Sequence, residues 1–164
     1  MAKTLSYKLE LGTKAPGFDL PDFDGKRYNL NDFHGSPALL VIFMCCHCPY
    51  VKHVIETLAE IAAEYKKKGV AVVAVNSNDI RNYPADRPEM MAKDAETYGF
   101  TFPYLFDETQ ETAKAYKAVC TPDFFLFDKE RKLVYRGQMD AARPENNIPV
   151  TGADLKQAMD AVLE

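Results

Sequence analysis

Cys45-Cys46-His47-Cys48 follows directly on the apolar run Ala38-Leu39-Leu40-Val41-Ile42-Phe43-Met44. Cys45 and Cys48 form a C-x-x-C pair. A buried strand that ends in such a pair and opens a helix is a dithiol redox arrangement, and its chemistry is thiol–disulfide exchange. The thiolate is the nucleophile, so a catalytic cysteine needs groups that hold negative charge. The pattern places Cys45 at a helix N-terminus, where unpaired N–H groups and the macrodipole favour an anion. His47 adds a cation next door when protonated, which is the reading preferred over a solvated loop histidine. Cys48, one turn further in, is placed to resolve a mixed disulfide on Cys45. Pro49 suits a first helical turn, whose N–H groups have no intrahelical acceptor. Thiols in this setting drop from a pKa of about 8.5 to about 3.5–7, and a histidine inside the motif points to the low end. The expectation is a pair more oxidising than C-G-P-C.

Two further cysteines accompany the pair. Cys46 stands in an exposed dipeptide position, as a spare thiol, a regulatory thiol or a chance substitution, and is read as having no essential role. Cys120, alone before Thr121-Pro122, is either a third redox thiol or metal ligand, or a small apolar residue in a packed loop. Four cysteines grouped in this way are not a disulfide framework.

The elements that position these residues follow from hydrophobic periodicity. Residues 1–16 read as a loosely structured arm. Segments 18–20 and 26–30 flank Asp24-Gly25, a hairpin signal, and 31–35 give a short helical turn. The run 38–44 is a strand apolar throughout, as expected where both faces of a sheet are covered. A helix over roughly 46–68 carries Val51, Val54, Ile55, Leu58, Ile61, Ala62 and Tyr65 on one face and ends at Gly69. The strand 70–75 completes a βαβ unit. A polar segment 76–87 follows, and its part 76–84 should lie on the active-site side of the sheet, shaping substrate access or as ordinary surface. A helix near 88–98, a strand 103–106, a short helix 108–117, a hairpin of 123–127 with 132–136, and a helix near 152–163 with Thr151 as N-cap complete the chain. The class is α/β: a mixed central sheet flanked by helices, with an N-terminal β-hairpin and a βα insertion, in thioredoxin-like order. With 164 residues and 47% apolar content, it reads as one domain over 1–164.

A net charge of −4 without a basic stripe gives nucleic-acid binding no electrostatic support. The longest apolar stretch, 38–46, is too short to cross a membrane, and the N-terminus has no apolar h-region. A cytoplasmic protein is expected.

Motif, Thr-Pro and strand order together resemble the thioredoxin-like superfamily, in the branch shared by thiol-disulfide reductases of the TlpA/ResA type and the AhpC/TSA peroxiredoxins. The resemblance runs through 12–20 with Asp24-Gly25, through 102–107 and through 120–128. More narrowly, Phe43-Met44-Cys45-Cys46-His47-Cys48-Pro49-Tyr50-Val51-Lys52, with 136–140 and Arg143-Pro144, is similar to bacterial thioredoxin family proteins carrying C-N-H-C-P-Y-V, so Cys46 stands where an asparagine is usual. The resemblance implies a cis-proline at Pro122 packed against the dithiol. It also implies that Thr121 offers its backbone to a substrate. A peroxiredoxin carries P-x-x-x-[TS]-x-x-C; Ala38 and Ile42 replace the proline and the hydroxyl, which disfavours direct peroxidase activity. Thioredoxins also carry a buried acid upstream of the motif. The strand 38–44 has none, and Asp79, Glu89 and His53 are the candidates to replace it.

The expected function is thiol-disulfide oxidoreduction without a cofactor. The substrates would be disulfide-bearing proteins or small thiols, and a partner thiol reductase would recycle the pair. The alternatives are copper or zinc handling through Cys45, Cys46, His47, Cys48, His53 and Cys120, and weak peroxiredoxin-type antioxidant activity. Against metal handling, no second C-x-x-C or paired histidines complete a closed zinc site.

Overall fold

The computed structural model describes residues 9–164; the first half of the N-terminal arm, 1–8, lies outside the described residues. The hairpin forms from β1 (Asp19–Pro21) and β2 (Arg27–Asn29), paired antiparallel. The short turn after it, Leu30–Phe33, is capped by Asn29, whose side chain accepts the Asp32 amide while Asp32 accepts the Asn29 amide. This reciprocal cap satisfies two otherwise orphaned donors.

The central sheet contains β3 (Ala38–Phe43), β4 (Val70–Asn76), β5 (Tyr104–Phe106), β6 (Asp123–Phe127) and β7 (Leu133–Gly137), in the order β5-β4-β3-β6-β7. β4 runs parallel to β3 and β5, whereas β6 is antiparallel to β3 and β7. The mixed sheet expected from the strand order is therefore present. Connecting and covering it are α1 (Pro49–Lys67), α2 (Pro88–Tyr98), α3 (Glu111–Tyr116) and α4 (Ala153–Val162).

Alternation along β3 explains why its sequence is apolar without interruption. Ala38, Leu40 and Ile42 face one core with Val54, Leu58 and Ile61 of α1, Met91 of α2, and Leu155 and Met159 of α4. Leu39, Val41 and Phe43 face a second core with Tyr116 of α3, Phe18 and Phe125. Successive strand residues point to opposite faces, and here each face has its own cover. The second core is an aromatic cluster: Phe43, Tyr116 and Phe125 lie with ring centroids 5.5–5.7 Å apart in tilted and edge-on pairs, a geometry that adds to simple burial. Tyr116 also donates its hydroxyl to the Pro16 carbonyl at 2.6 Å.

Three sequence expectations shift. The described part of the arm is not loose: Gly12 and Ala15 donate amides to the Leu133 and Arg131 carbonyls, and Leu133 donates back to Thr13, each at 2.8 Å. The helix after the dithiol starts at Pro49 with Cys48 as its N-cap, and not at Cys46. The last helix is capped at Gly152, in the left-handed region at φ +71°; Thr151 contributes one position earlier, its hydroxyl accepting the Ala153 amide at 3.3 Å. Among the described residues no helix is long and apolar enough to cross a membrane.

Candidate active site

The motif occupies the loop between the C-terminal end of β3 and the first turn of α1. Met44 extends the strand, donating its amide to the Val75 carbonyl at 3.0 Å, so the loop leaves the sheet beside the end of β4. Facing it is the segment before β6. There the Thr121–Pro122 bond is cis. Asp123, the first residue of β6, is anchored by the Arg136 guanidinium of β7 at 2.8 Å, with both side chains buried. The hairpin β6–β7 thereby fixes the Thr-Pro segment against the dithiol.

Cys45 Sγ lies 3.6 Å from Thr121 Oγ1, and Cys48 Sγ lies 3.4 Å from the Thr121 carbonyl oxygen, to which it donates when protonated. The sequence-predicted Cys45, Cys48, Thr121 and Pro122 are thus brought together. Both residues are nearly sealed, with Cys45 2% exposed and Cys48 0%. Their mutual hydrogen bond governs their titration. It pulls the Cys48 thiol down to about 4, against burial, with help from Thr121 and the amides of Val51 and Tyr50 at the helix start. The same bond pushes Cys45 upward; burial and the negative charge of Asp86 add to this, and the Thr121 hydroxyl opposes it. The reduced pair thus holds one proton between two sulfurs. The helix-start amides favour a thiolate on Cys48, and the Thr121 hydroxyl favours one on Cys45.

Cys46 corrects another expectation. It is buried, and its sulfur points to Tyr104 Oη at 3.8 Å. Burial, with the nearby Asp94 charge, pushes its thiol up to about 12. It is a neutral, shielded thiol at physiological pH, so it does not compete with the pair as a nucleophile. Cys120 is half-buried beside Thr121.

His47 is held on both sides. Its ring stacks on Tyr83 at 4.7 Å and 6°, and Nδ1 is hydrogen-bonded to the Asp86 carboxylate. Asp86, fully buried, is the acid that sequence reasoning missed. Its Oδ1 accepts the amides of Cys46 and His47 at 2.7 and 2.9 Å, and its Oδ2 accepts Asn78 Nδ2 at 2.8 Å. Its backbone carbonyl accepts Asn76 Nδ2 at 2.7 Å. None of the three candidates takes this place. Asp79 accepts the Arg81 amide and the Asn82 side chain in a local turn, and Glu89 and His53 are exposed. The available signal was topological: β3 and β4 are parallel neighbours, so the loops after them meet, but the segment expected on the active-site side, 76–84, stops two residues short of Asp86.

Cys45, His47 and Asp86 each offer a ligand atom within 4.8 Å of the others, a donor set suited to zinc. The Asp86 oxygens already accept hydrogen bonds from two amides, Asn78 and His47, so a cation would have to displace the His47 N–H. Of the six residues expected to bind metal, only Cys45 and His47 join this group. His53 is on the surface of α1 and Cys46 turns to Tyr104.

The sheet order, the dithiol at a helix start and the cis-proline facing it define a thioredoxin-like protein of the thiol-disulfide class. The chain belongs to the AhpC/TSA family, which matches residues 11–136. It is 30% identical over 132 residues to the thiol-disulfide oxidoreductase ResA of Bacillus thuringiensis subsp. konkukian, covering 80% of this chain and 71% of that protein. A hypothetical protein from Sinorhizobium meliloti 1021 has a similar structure, with TM-score 0.96 and 52% identity, over 98% of this chain and 88% of that one. A putative thiol:disulfide interchange protein DsbE from Chlorobium tepidum matches with TM-score 0.72 and 27% identity, over 96% of this chain and 100% of that one. Family, fold and dithiol together make the chain a thiol-disulfide oxidoreductase.

Proposed function

We propose that Cys45 is the attacking sulfur and Cys48 the resolving one, in the reduction of disulfides on proteins or small oxidised thiols. The observation that carries this assignment is the placing of both sulfurs against Thr121, Cys45 Sγ at 3.6 Å from its hydroxyl and Cys48 Sγ at 3.4 Å from its carbonyl. Moving the proton from Cys45 to Cys48 puts the anion on the sulfur that contacts the Thr121 hydroxyl, in the residue that retains a trace of surface. The Cys45 thiolate attacks the substrate disulfide, forming a Cys45–substrate bond and expelling one substrate thiolate, which takes up a proton. Cys48 then loses its proton and attacks Cys45 Sγ. The Cys45–Cys48 bond forms and the second substrate thiolate leaves, so that two electrons pass to the substrate. A partner dithiol reductase returns two electrons to the pair. Thr121 and Pro122 form the wall against which the substrate backbone lies, and the exposed Tyr83, stacked on His47, forms another. Work in the cytoplasm, where thiols are kept reduced, is consistent with the grouping of three cysteines in one loop. Alanine and isoleucine at positions 38 and 42, both buried in β3, offer no hydroxyl for a peroxide.

The test is a titration in thiol–disulfide buffers of fixed potential, with alkylated cysteines located by peptide mapping. Cys45 and Cys48 should change together as a two-electron couple between about −270 and −120 mV. Cys48→Ser should accumulate a mixed disulfide on Cys45, and Cys45→Ser should not form one with the same substrate. A pair that stays reduced throughout, or a mixed disulfide that maps to Cys46, would overturn the assignment. Metal handling is the second reading, favoured by the Cys45–His47–Asp86 cluster. Stoichiometric zinc or copper in the purified protein, with loss of thiol reactivity, would put it first.

A further inference from the structure

Asp86 is buried beside a redox-active loop and binds it more extensively than any other side chain does. We propose that Asp86 is the positioning residue of the dithiol: its carboxylate fixes the motif loop and the His47 ring, and its negative charge opposes the reduced, thiolate-bearing pair. The proposal rests on the oxidoreductase reading and adds to it a residue from outside the motif.

The geometry separates two actions. Through Oδ1, Asp86 takes the amides of Cys46 and His47, the two residues between the redox cysteines. A loop between a strand and a helix has no sheet or helix partners for these donors, and unpaired buried amides are costly. Asp86 supplies the acceptors, and it is itself held by Asn76 and Asn78 at the end of β4. The loop is therefore tied to β4 as well as to its own strand. Through Oδ2, Asp86 accepts from His47 Nδ1, which assigns the proton of the neutral ring to Nδ1 and leaves Nε2 as the acceptor. Tyr83 closes the face of the same ring. A carboxylate that orients an imidazole next to a nucleophilic sulfur has the logic of a nucleophile, a base and an orienting acid.

The charge acts on the redox equilibrium. Reduction converts a neutral disulfide, with two electrons and one proton, into a thiol and a thiolate. A buried carboxylate within 4.8 Å of Cys45 and His47 disfavours the charged product, because Coulomb repulsion is weakly screened inside the protein. Asp86 thus makes the pair more reducing than its helix and histidine alone would make it.

The test compares wild type with Asp86→Asn in the thiol–disulfide titration, and follows His47 by 15N NMR of the imidazole nitrogens. In wild type, neutral His47 should show the Nδ1–H tautomer; an Nε2–H tautomer there would overturn the proposal without any variant. In Asp86→Asn, the new amide can donate to Nδ1, so the tautomer should switch to Nε2–H. The reduced:oxidised ratio at a given buffer potential should rise about tenfold, a midpoint less negative by about 30 mV. A folded Asp86→Asn protein with the wild-type midpoint and tautomer would also overturn it. Failure of the oxidoreductase reading looks different, since wild-type Cys45 and Cys48 would then not titrate as a couple at all.

Discussion

Sharing one proton between Cys45 and Cys48 has a measurable signature in the potential of the pair. With Cys48 held at about 4 and Cys45 pushed upward, the reduced form carries a single thiolate from about pH 5 to pH 8. Oxidation then releases two electrons and one proton, so the midpoint should fall by about 30 mV per pH unit, against about 59 mV for a pair with both thiols protonated. A slope of 59 mV across that window, in redox buffers at several pH values, would show that the two sulfurs do not share a proton in this way. At this scale the sequence was informative where chemistry lies within a few contiguous residues. Cys45, Cys48, His47 and Thr121-Pro122 all announce themselves by type and spacing. Asp86 does not, because its role comes from a turn between β4 and α2 that carries it to Cys46 and His47 from 40 and 39 residues further along the chain. The burial of Cys46 was equally hidden, since it depends on Tyr104 from β5 lying beneath the loop.

At the scale of elements, the strands and long helices were legible because each has a strong period and a complete cover. β3 and β6 are apolar on both faces because each face meets a core, and α2 begins at a proline and ends at Gly99 in the left-handed conformation, both sequence signals. The pairing of residues 12–15 with 131–133 was not legible, because a short polar segment recruited to a sheet edge has no period of its own. Gly152 shows how closely α4 is seated. It sits at φ +71°, donates its amide to Asp140 Oδ2 at 2.7 Å, and a Cβ there would fall 2.2 Å from Ile61 Cδ1 of α1. Gly152→Ala therefore combines left-handed strain with a contact that Ile61 relieves by turning its terminal methyl, which together cost roughly 1–3 kcal/mol. The melting temperature should drop by roughly 2–12 °C, at about 2–4 °C per kcal/mol for a chain of this size. An unchanged melting temperature would mean that Ile61 and the backbone at 152 absorb the added methyl without cost. The site should be spared, because the side chains nearest Gly152, Ile61 and Met139, belong to neither the motif nor the Thr121–Pro122 segment.

For the whole molecule, the same proton couples redox state to global stability. A group whose pKa is depressed on folding stabilises the fold fully above its unfolded value, and that contribution fades as pH falls toward the folded value. Cys48 moves from about 8.5 in an unfolded chain to about 4 in the folded one, so its contribution grows from pH 5 to pH 8. Cys45 and Cys46 are pushed upward; they are mostly protonated in both folded and unfolded chains below pH 8 and add little to the slope there. Carboxylates, histidines and tyrosines are common to the reduced and oxidised proteins and largely cancel in their difference, as does the pH-independent effect of closing the disulfide. The stability of the reduced protein relative to the oxidised one should therefore rise with pH, by up to about 1.4 kcal/mol per pH unit between pH 5 and pH 8. Denaturant unfolding of both forms at several pH values measures it. The redox slope and this stability slope are two sides of one thermodynamic cycle. In the unfolded chain both thiols are protonated and the couple changes by two protons, whereas in the fold it changes by one. A stability difference that stays constant with pH would contradict a 30 mV redox slope, so the two measurements must succeed or fail together. Agreement would place the source of the protein's redox poise in the charge of one buried sulfur at the start of α1.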